Sequence, residues 1–474
     1  MSLEYTHQHM TLFTDLYELT MAQGYFLSGR ADQRARFDYF FRNNPFKGGY
    51  VLFAGLKDLC QQLTQLRFDE DTLAYLKQLD FNEDFIAYLK DWRFTGNISA
   101  VKEGEVVFPL EPILQVEGDL VETQIIESLL LNTLNFESLI ATKASRIAHA
   151  CQGKPFAEFG LRRAQGLGAI QATHAAIVGG AYASSNILAS AIHGIPTRGT
   201  LAHSWIQQFD SELEAFRAWA DLYPDHCVLL VDTYNTLNSG IPHAITVAKE
   251  LEQKNKKLVA IRLDSGDLAY LSKKARQILD EHGLEDVKIY ATNQLDEYLI
   301  KSLLDQGAPI DLFGVGTRLV TGHPDGALDG VYKLATRQET PALKISDNFT
   351  KVNLPGHKHL FRITDQDGKF YGDAISLASS PTPLNTIYHP YFPEQHTQIH
   401  TREQTSLLHV VMEEGKIVAP LATALEAAAY AKERLEKLPP EHRRFDNPHT
   451  YKVGITQDLQ ELRSSIYQKL REQI

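Results

Sequence analysis

The chain has 474 residues, 43% of them hydrophobic and 22% charged, with a formal net charge of −12. That length can bury at least one large core and suggests two or three domains. The acidic balance argues against a nucleic-acid partner, because such binding depends on Lys and Arg neutralising phosphates, so any anionic ligand must be held by a local cluster. The three cysteines, Cys60, Cys151 and Cys227, are far apart and form no CxxC pair. Neither a disulfide framework nor a zinc site is indicated, and a reducing cytoplasm is the expected location. The opening MSLEYTHQHMTLF has no basic region leading into an apolar core, and no apolar run reaches membrane-spanning length, so neither export nor insertion is expected.

In chain order, Thr14 to Phe26 places Leu16, Tyr17, Leu19 and Met21 at helical spacing, with Thr14 positioned as a cap and Glu18 close behind. The runs ARFDYFFR and GGYVLFAGL have the aromatic and β-branched character of strands, and Phe81 to Tyr88 returns to helix. Ile98 to Leu120 strings short strands between Glu-Gly and Glu-Pro turns, and a first α+β domain is expected over residues 1–122. From Thr123 to Ala150 the residues Ile126, Leu130, Leu134, Ile140, Ala144 and Ile147 predict one long helix or two in succession.

A repeated pattern follows, of apolar run, polar or glycine-rich turn, then helix. The runs are Phe156 to Phe159, a short one near Pro196 to Leu201, Cys227 to Val231, Leu258 to Ile261, Val287 to Tyr290 and Ile310 to Phe313. Continuous apolar strands alternating with helices imply a parallel sheet covered on both faces, and this many units predict an irregular, TIM-like α/β barrel over residues 123–345. Beyond Gly330 the segments VYKLAT, LKIS, HLFRIT and DAISLA read as strands, with a hairpin turn at DQDGK. Residues 346–474 are expected to return to the first domain, so that the N- and C-terminal segments together build an α+β sandwich. Helices at Leu421 to Leu438 and Leu459 to Leu470 close the chain.

The functional signal is concentrated between Phe159 and Phe209, where there is no Asp or Glu but there are Arg162, Arg163, Arg198, His174, His193 and His203. In an acidic protein this points to an anion. Barrel chemistry sits at strand C-termini, and here the strand ends carry Arg, Asp, Asn, His or Gly. Arg262 and Asp264 lie two apart at a strand end and so face the same side, where they can share a ligand or pair with each other. Asp232 faces the same rim. Gly314, Gly316 and Thr317 follow a strand and open a helical run, which suits a phosphate cradle. His203, beyond GTLA at an expected strand end, could accept a phosphoryl group. The rim arginines count against a glycosidase, and the absence of a strand-end lysine counts against a Schiff-base aldolase.

TDLYELTMA, EFGLRRAQG, GTLAHSW, LLVDTYNT, IRLDSGDL, ATNQLDE, FGVGTRLVT and RRFDNPHTY, in this order, resemble nicotinate phosphoribosyltransferase over nearly the whole chain. The resemblance implies an enzyme that couples nicotinate to phosphoribosyl pyrophosphate in NAD salvage, driven by ATP with Mg2+. It implies a phosphohistidine at His203, a homodimer with shared active sites, and Tyr17 reaching across to stack with Phe159 on the pyridine ring beside Arg162. Thr200 and Arg262 become substrate contacts, Asp232 and Asp264 lie around ribose and pyrophosphate, and Gly314, Gly316 and Thr317 cradle the 5′-phosphate. Gln294 receives no role and the magnesium ligands are not assigned. The alternatives are a nicotinamide or quinolinate phosphoribosyltransferase, or a metabolite-binding protein without turnover. An acid-free stretch lined with donors favours a carboxylate-bearing base over an amide.

Overall fold

The computed structural model describes residues 9–344 and 353–472. The chain divides into two compact units, Met1–Leu139 with Ala327–Ile474, and Ile140–Gly326. The seams therefore fall at 139/140 and 326/327 rather than at 122/123 and 345/346. Packing explains both shifts. Ile126, Leu129, Leu130, Leu134 and Leu139 belong to the core of the first unit, and the strand Gly330–Arg337 pairs with Arg34–Phe41 of that unit.

In the first unit the described residues form a seven-stranded sheet in the order Thr340–Pro341, Gly330–Arg337, Arg34–Phe41, Leu114–Asp119, Asn97–Ala100, His409–Glu413 and Lys416–Ile417. One face carries Phe37, Ile98, Leu114 and Val116 into a common core, with the Phe37 and Tyr332 rings stacked at 4.6 Å. A second, six-stranded sheet is built mainly from C-terminal segments, including Lys358–Thr364 and Phe370–Leu377. Their DQDGK hairpin closes as expected: the Asp365 carboxylate accepts from the Asp367 and Lys369 N–H groups and Gly368 takes φ +74°. Leu343 and Lys344 of LKIS are not in a strand, and Ile345 and Ser346 lie outside the described residues.

The N- and C-terminal segments meet at Arg362, which has no solvent exposure. Its guanidinium binds Asp373 bidentately at 2.7 and 2.8 Å, the Glu105 carboxylate at 2.9 Å and the Val106 carbonyl at 2.6 Å. Arg434, on the helix Ala424–Lys437, adds a 2.9 Å bond to Glu105. A buried guanidinium survives only when its donors are satisfied in this way.

The N-terminal helix runs Leu16–Leu27. Asp15, not Thr14, stands at its N-cap position, and the Thr14 hydroxyl instead donates to Glu18 at 2.5 Å. The long periodic stretch is two helices in succession, Leu120–Ile125 and Glu127–Ala150.

In the second unit six parallel strands lie in the order Ala183–Ser184, Phe156–Glu158, Leu312–Val315, Lys288–Ala291, Ala260–Leu263 and Val228–Leu230. The apolar runs become strands because both faces are covered: Ala157, Ile261, Ile289 and Phe313 have no exposure. Two strands sit two residues later than their apolar runs, at Ala260–Leu263 and Leu312–Val315, so Arg262 and Gly314 lie within strands and not beyond them. Ala183–Ser184 is a strand the apolar pattern did not mark, since alanine and serine carry little signal.

Pro196 to Leu201 is not a strand. It makes one parallel bridge, Thr197 with Ser184, flanked by Arg198 N–H to Ser184 O at 2.9 Å. Pro196 has no N–H to extend a ladder. The far end of this segment is held by a side chain: Arg262 Nη1 donates to Thr200 Oγ1 at 2.6 Å and to the Leu201 carbonyl at 3.1 Å.

Candidate functional site

Polar side chains collect where the strands of the second unit end, but they divide into two kinds. Asn235, Asp267 and Asp296 are N-caps, accepting from the backbone N–H groups of Asn238, Tyr270 and Leu299 at 2.9, 3.0 and 2.8 Å. Each such cap is worth about 1 kcal/mol and explains its residue without a ligand. Asp296 also receives the Arg318 guanidinium. Burial raises its pKa, but the Leu299 N–H and Arg318 outweigh this and hold the carboxyl below its ordinary value.

The other kind converges on Asp232. Its side chain has no exposure, and its two oxygens are taken by three groups: His203 Nε2 at 3.2 Å, the Asp264 N–H at 2.9 Å and the Ser265 hydroxyl at 2.5 Å. His203 is the first residue of the short helix His203–Ile206 and its side chain is 39% exposed. It follows a loop rather than the strand end expected from GTLA. With Nε2–H donating to Asp232, Nδ1 carries the lone pair, and among the described residues Nδ1 has no partner.

Arg262 and Asp264 form an ion pair at 2.8 Å. The guanidinium also donates to Thr292 Oγ1 at 3.0 Å, and the Thr292 hydroxyl in turn donates to Asp264 Oδ1. Asp264 Oδ2 takes no hydrogen bond from the described residues, and its side chain is 27% exposed. Of the expected residues, His203, Asp232, Arg262, Asp264 and Thr200 are thus in one hydrogen-bonded set.

Phe159 and the glycines sit on the neighbouring strand ends. The Phe159 N–H donates to the Val315 carbonyl at 2.8 Å. Gly314 is buried, and a Cβ there would lie 2.6 Å from both the Phe159 ring and Thr292 Cγ2, so it is a steric requirement of the strand pair. Gly316 is the N-cap residue of Thr317–Val320. Arg162 is exposed in the single turn Leu161–Arg163, and no carboxylate among the described residues pairs with it. Tyr17 belongs to the first unit, where it is 45% exposed. Burial, followed by the nearby Glu127 carboxylate, raises its phenol pKa.

Three residues of this neighbourhood received no role from sequence reasoning: Thr292, Ser265 and Glu158. Glu158 is fully buried and accepts from the Gly160 N–H, the Thr173 hydroxyl at 3.0 Å and the Ser184 hydroxyl at 2.6 Å, which fixes the turn that presents Phe159 and Arg162. Its place beside an acid-free stretch was the available signal.

Models of the nicotinate phosphoribosyltransferase family match the chain in three consecutive parts: the N-terminal domain at residues 12–135, the family model itself at 155–354, and the C-terminal domain at 357–463. The chain is 40% identical to a nicotinate phosphoribosyltransferase of Bacillus subtilis, over 98% of both chains. It is 32% identical to that of Homo sapiens, over 96% of both. The crystal structure of human nicotinic acid phosphoribosyltransferase matches the fold with a TM-score of 0.86 at 30% identity, covering 96% of this chain and 99% of that one. Full-length similarity at this level assigns the chain to the nicotinate phosphoribosyltransferase family.

Proposed function

We propose that the protein joins nicotinate to phosphoribosyl pyrophosphate, giving nicotinate mononucleotide and pyrophosphate in the NAD salvage of the cytoplasm, and that ATP is hydrolysed through a phosphohistidine at His203. The observation that carries this reading is the His203–Asp232 pair: one ring nitrogen is held by a carboxylate with no exposure, and the other is left for a ligand. Nδ1 attacks the γ-phosphorus of ATP, the bond to the bridging oxygen breaks, and ADP leaves with the electron pair. Asp232 stabilises the charge that develops on the imidazole, and water later takes the phosphoryl group from Nδ1.

In the synthetic step the pyridine nitrogen attacks the anomeric carbon while the bond to pyrophosphate breaks. Positive charge develops on the ribose and negative charge leaves, so positioning and electrostatics do most of the work. Phe159, with Tyr17 of the partner subunit, stacks on the ring, and Arg162 faces the nicotinate carboxylate. Asp264 lies beside the cationic ribose. Gly316 and Thr317 offer backbone N–H groups to the 5′-phosphate, and Gly314 leaves the room that the Phe159 ring occupies.

The donor set fits Mg2+. Both oxygens of Asp232 are engaged, whereas Asp264 Oδ2 is unengaged among the described residues, and Mg2+ is commonly bound by one carboxylate together with substrate phosphates and water. Held there, the ion would neutralise the departing pyrophosphate.

Incubation of the protein with nicotinate, phosphoribosyl pyrophosphate and Mg2+, with and without ATP, tests the reading by product analysis. Nicotinate mononucleotide is expected, with faster synthesis and ADP release when ATP is present. Turnover of quinolinate or nicotinamide in place of nicotinate, or binding without product, would overturn it.

A further inference from the structure

Arg262 is expected to touch substrate, yet most of its hydrogen-bonding capacity is already used. A guanidinium has five N–H donors. Nε donates to Thr292 Oγ1 at 3.0 Å, Nη1 to Thr200 Oγ1 at 2.6 Å and the Leu201 carbonyl at 3.1 Å, and Nη2 to Asp264 Oδ1 at 2.8 Å. Among the described residues one N–H, on Nη2, is left for a ligand, so the value of Arg262 depends on where the other bonds hold it. Three of them tie it to the Thr200 loop and to Asp264. The fourth depends on one hydroxyl.

That hydroxyl belongs to Thr292, which follows the strand Lys288–Ala291 and is buried. It has one hydrogen to give and lone pairs to receive, and the structure uses both: it accepts from Arg262 Nε and donates to Asp264 Oδ1. Its backbone N–H is anchored at 2.9 Å to the carbonyl of Leu263, between Arg262 and Asp264. Its methyl group lies 2.6 Å from where a Gly314 Cβ would sit, so the glycine leaves room for the rotamer. We infer that Thr292 is a positioning residue for the reaction, a hydroxyl bridge that holds the Arg262 guanidinium and the Asp264 carboxylate side by side with one N–H and one carboxylate oxygen turned to the ligand. The inference rests on the reaction proposed above. Valine fills the same space but cannot bridge: Arg262 Nε–H would be left in a site where its side chain is only 16% exposed, and Asp264 Oδ1 would lose a donor.

Thr292→Val and Thr292→Ser, each characterised by steady-state kinetics and by a crystal structure, test the inference. Thr292→Val is expected to lower kcat about 10- to 100-fold, the loss associated with a hydrogen bond to a charged group, while the KM for nicotinate changes little. Thr292→Ser, which restores the hydroxyl, is expected to recover most of kcat. In crystals of the valine variant Arg262 should have left Asp264. Wild-type kcat in Thr292→Val, an equal loss in Thr292→Ser, or an undisturbed Arg262–Asp264 pair would overturn the inference. If the wild-type protein makes no nicotinate mononucleotide, the reaction reading fails on its own, and the position of Arg262 in the two crystal structures still decides the role of Thr292.

Discussion

His203 and Asp232 show what a pair of side chains can determine. A solvent-facing imidazole with one nitrogen on a fully buried carboxylate is oriented and limited to one tautomer, and its other nitrogen, without a partner among the described residues, is the one proposed above as nucleophile. His203→Ala should abolish ATP hydrolysis and make synthesis unresponsive to ATP. Mass spectrometry after incubation with ATP should find acid-labile phosphate on His203; an unlabelled His203 beside full ATP stimulation would contradict the assignment. A second residue-scale expectation concerns Gly314, whose missing side chain leaves space for the Phe159 ring and the Thr292 methyl, each 2.6 Å from a built Cβ. Gly314→Ala should destabilise the fold by about 1–3 kcal/mol through overpacking. Urea denaturation measures this, and a wild-type midpoint would show that the strand ends can move apart.

At the scale of elements, the joint between N- and C-terminal segments contains more acid than base. Arg362 and Arg434 face Glu105, Asp373 and Glu111, all five buried or nearly so. Burial, and then the neighbouring Asp373 carboxylate, push the Glu111 pKa well above its ordinary 4.5. The folded state therefore keeps a proton that the unfolded chain releases near pH 4.5. The stabilisation from Glu111 is complete below that pH and is lost as pH rises through the folded pKa. Glu111→Gln, which donates permanently to Asp373, should remove this loss and raise the melting temperature at neutral and alkaline pH relative to wild type. Thermal melts across pH would show it; parallel curves for the two proteins would mean that Glu111 does not carry the proton.

At the scale of the whole molecule, the proposed sharing of sites between subunits predicts complementation. Leu16, Tyr17 and Met21 are 61%, 45% and 39% exposed on one helix, an apolar surface suited to a partner. Mixing Tyr17→Ala with Arg262→Ala chains should restore about one working site per dimer, because one site of the heterodimer would receive both intact residues. Exchange of subunits without recovery of activity would exclude shared sites. Base preference is also a property of the assembled site. Asp232 is brought to the acid-free stretch by its pair with His203, and it is turned to that ring. Arg162 has no carboxylate beside it among the described residues. Nicotinate should therefore exceed nicotinamide by at least roughly tenfold in kcat/KM. Kinetics with each base at saturating phosphoribosyl pyrophosphate decides it, and equal efficiency would mean that Asp264 or another acid reaches the ring.

Periodicity and ordered motifs were sufficient for the parallel-strand unit and the antiparallel returns after Gly330, and they picked out His203, Asp232, Arg262 and Asp264, which the fold joins in one hydrogen-bonded set. These are local signals: apolar runs buried on both faces, and polar side chains in or just beyond them. Local signals could not separate the caps Asp267 and Asp296 from the site aspartates, because both kinds follow strands and differ only in whether the next backbone N–H groups turn toward them. Nor could they find Thr292 or Glu158, whose importance comes from partners up to 30 positions away in the chain. The strand expected near Pro196 to Leu201 failed for a related reason: its neighbours are a single bridge at Thr197 and the side chain of Arg262, not a ladder. Sequence spacing determines which groups a strand end offers, but a hydrogen bond needs two ends. Only the arrangement of strands from distant parts of the chain decides which groups become structure and which remain free for chemistry.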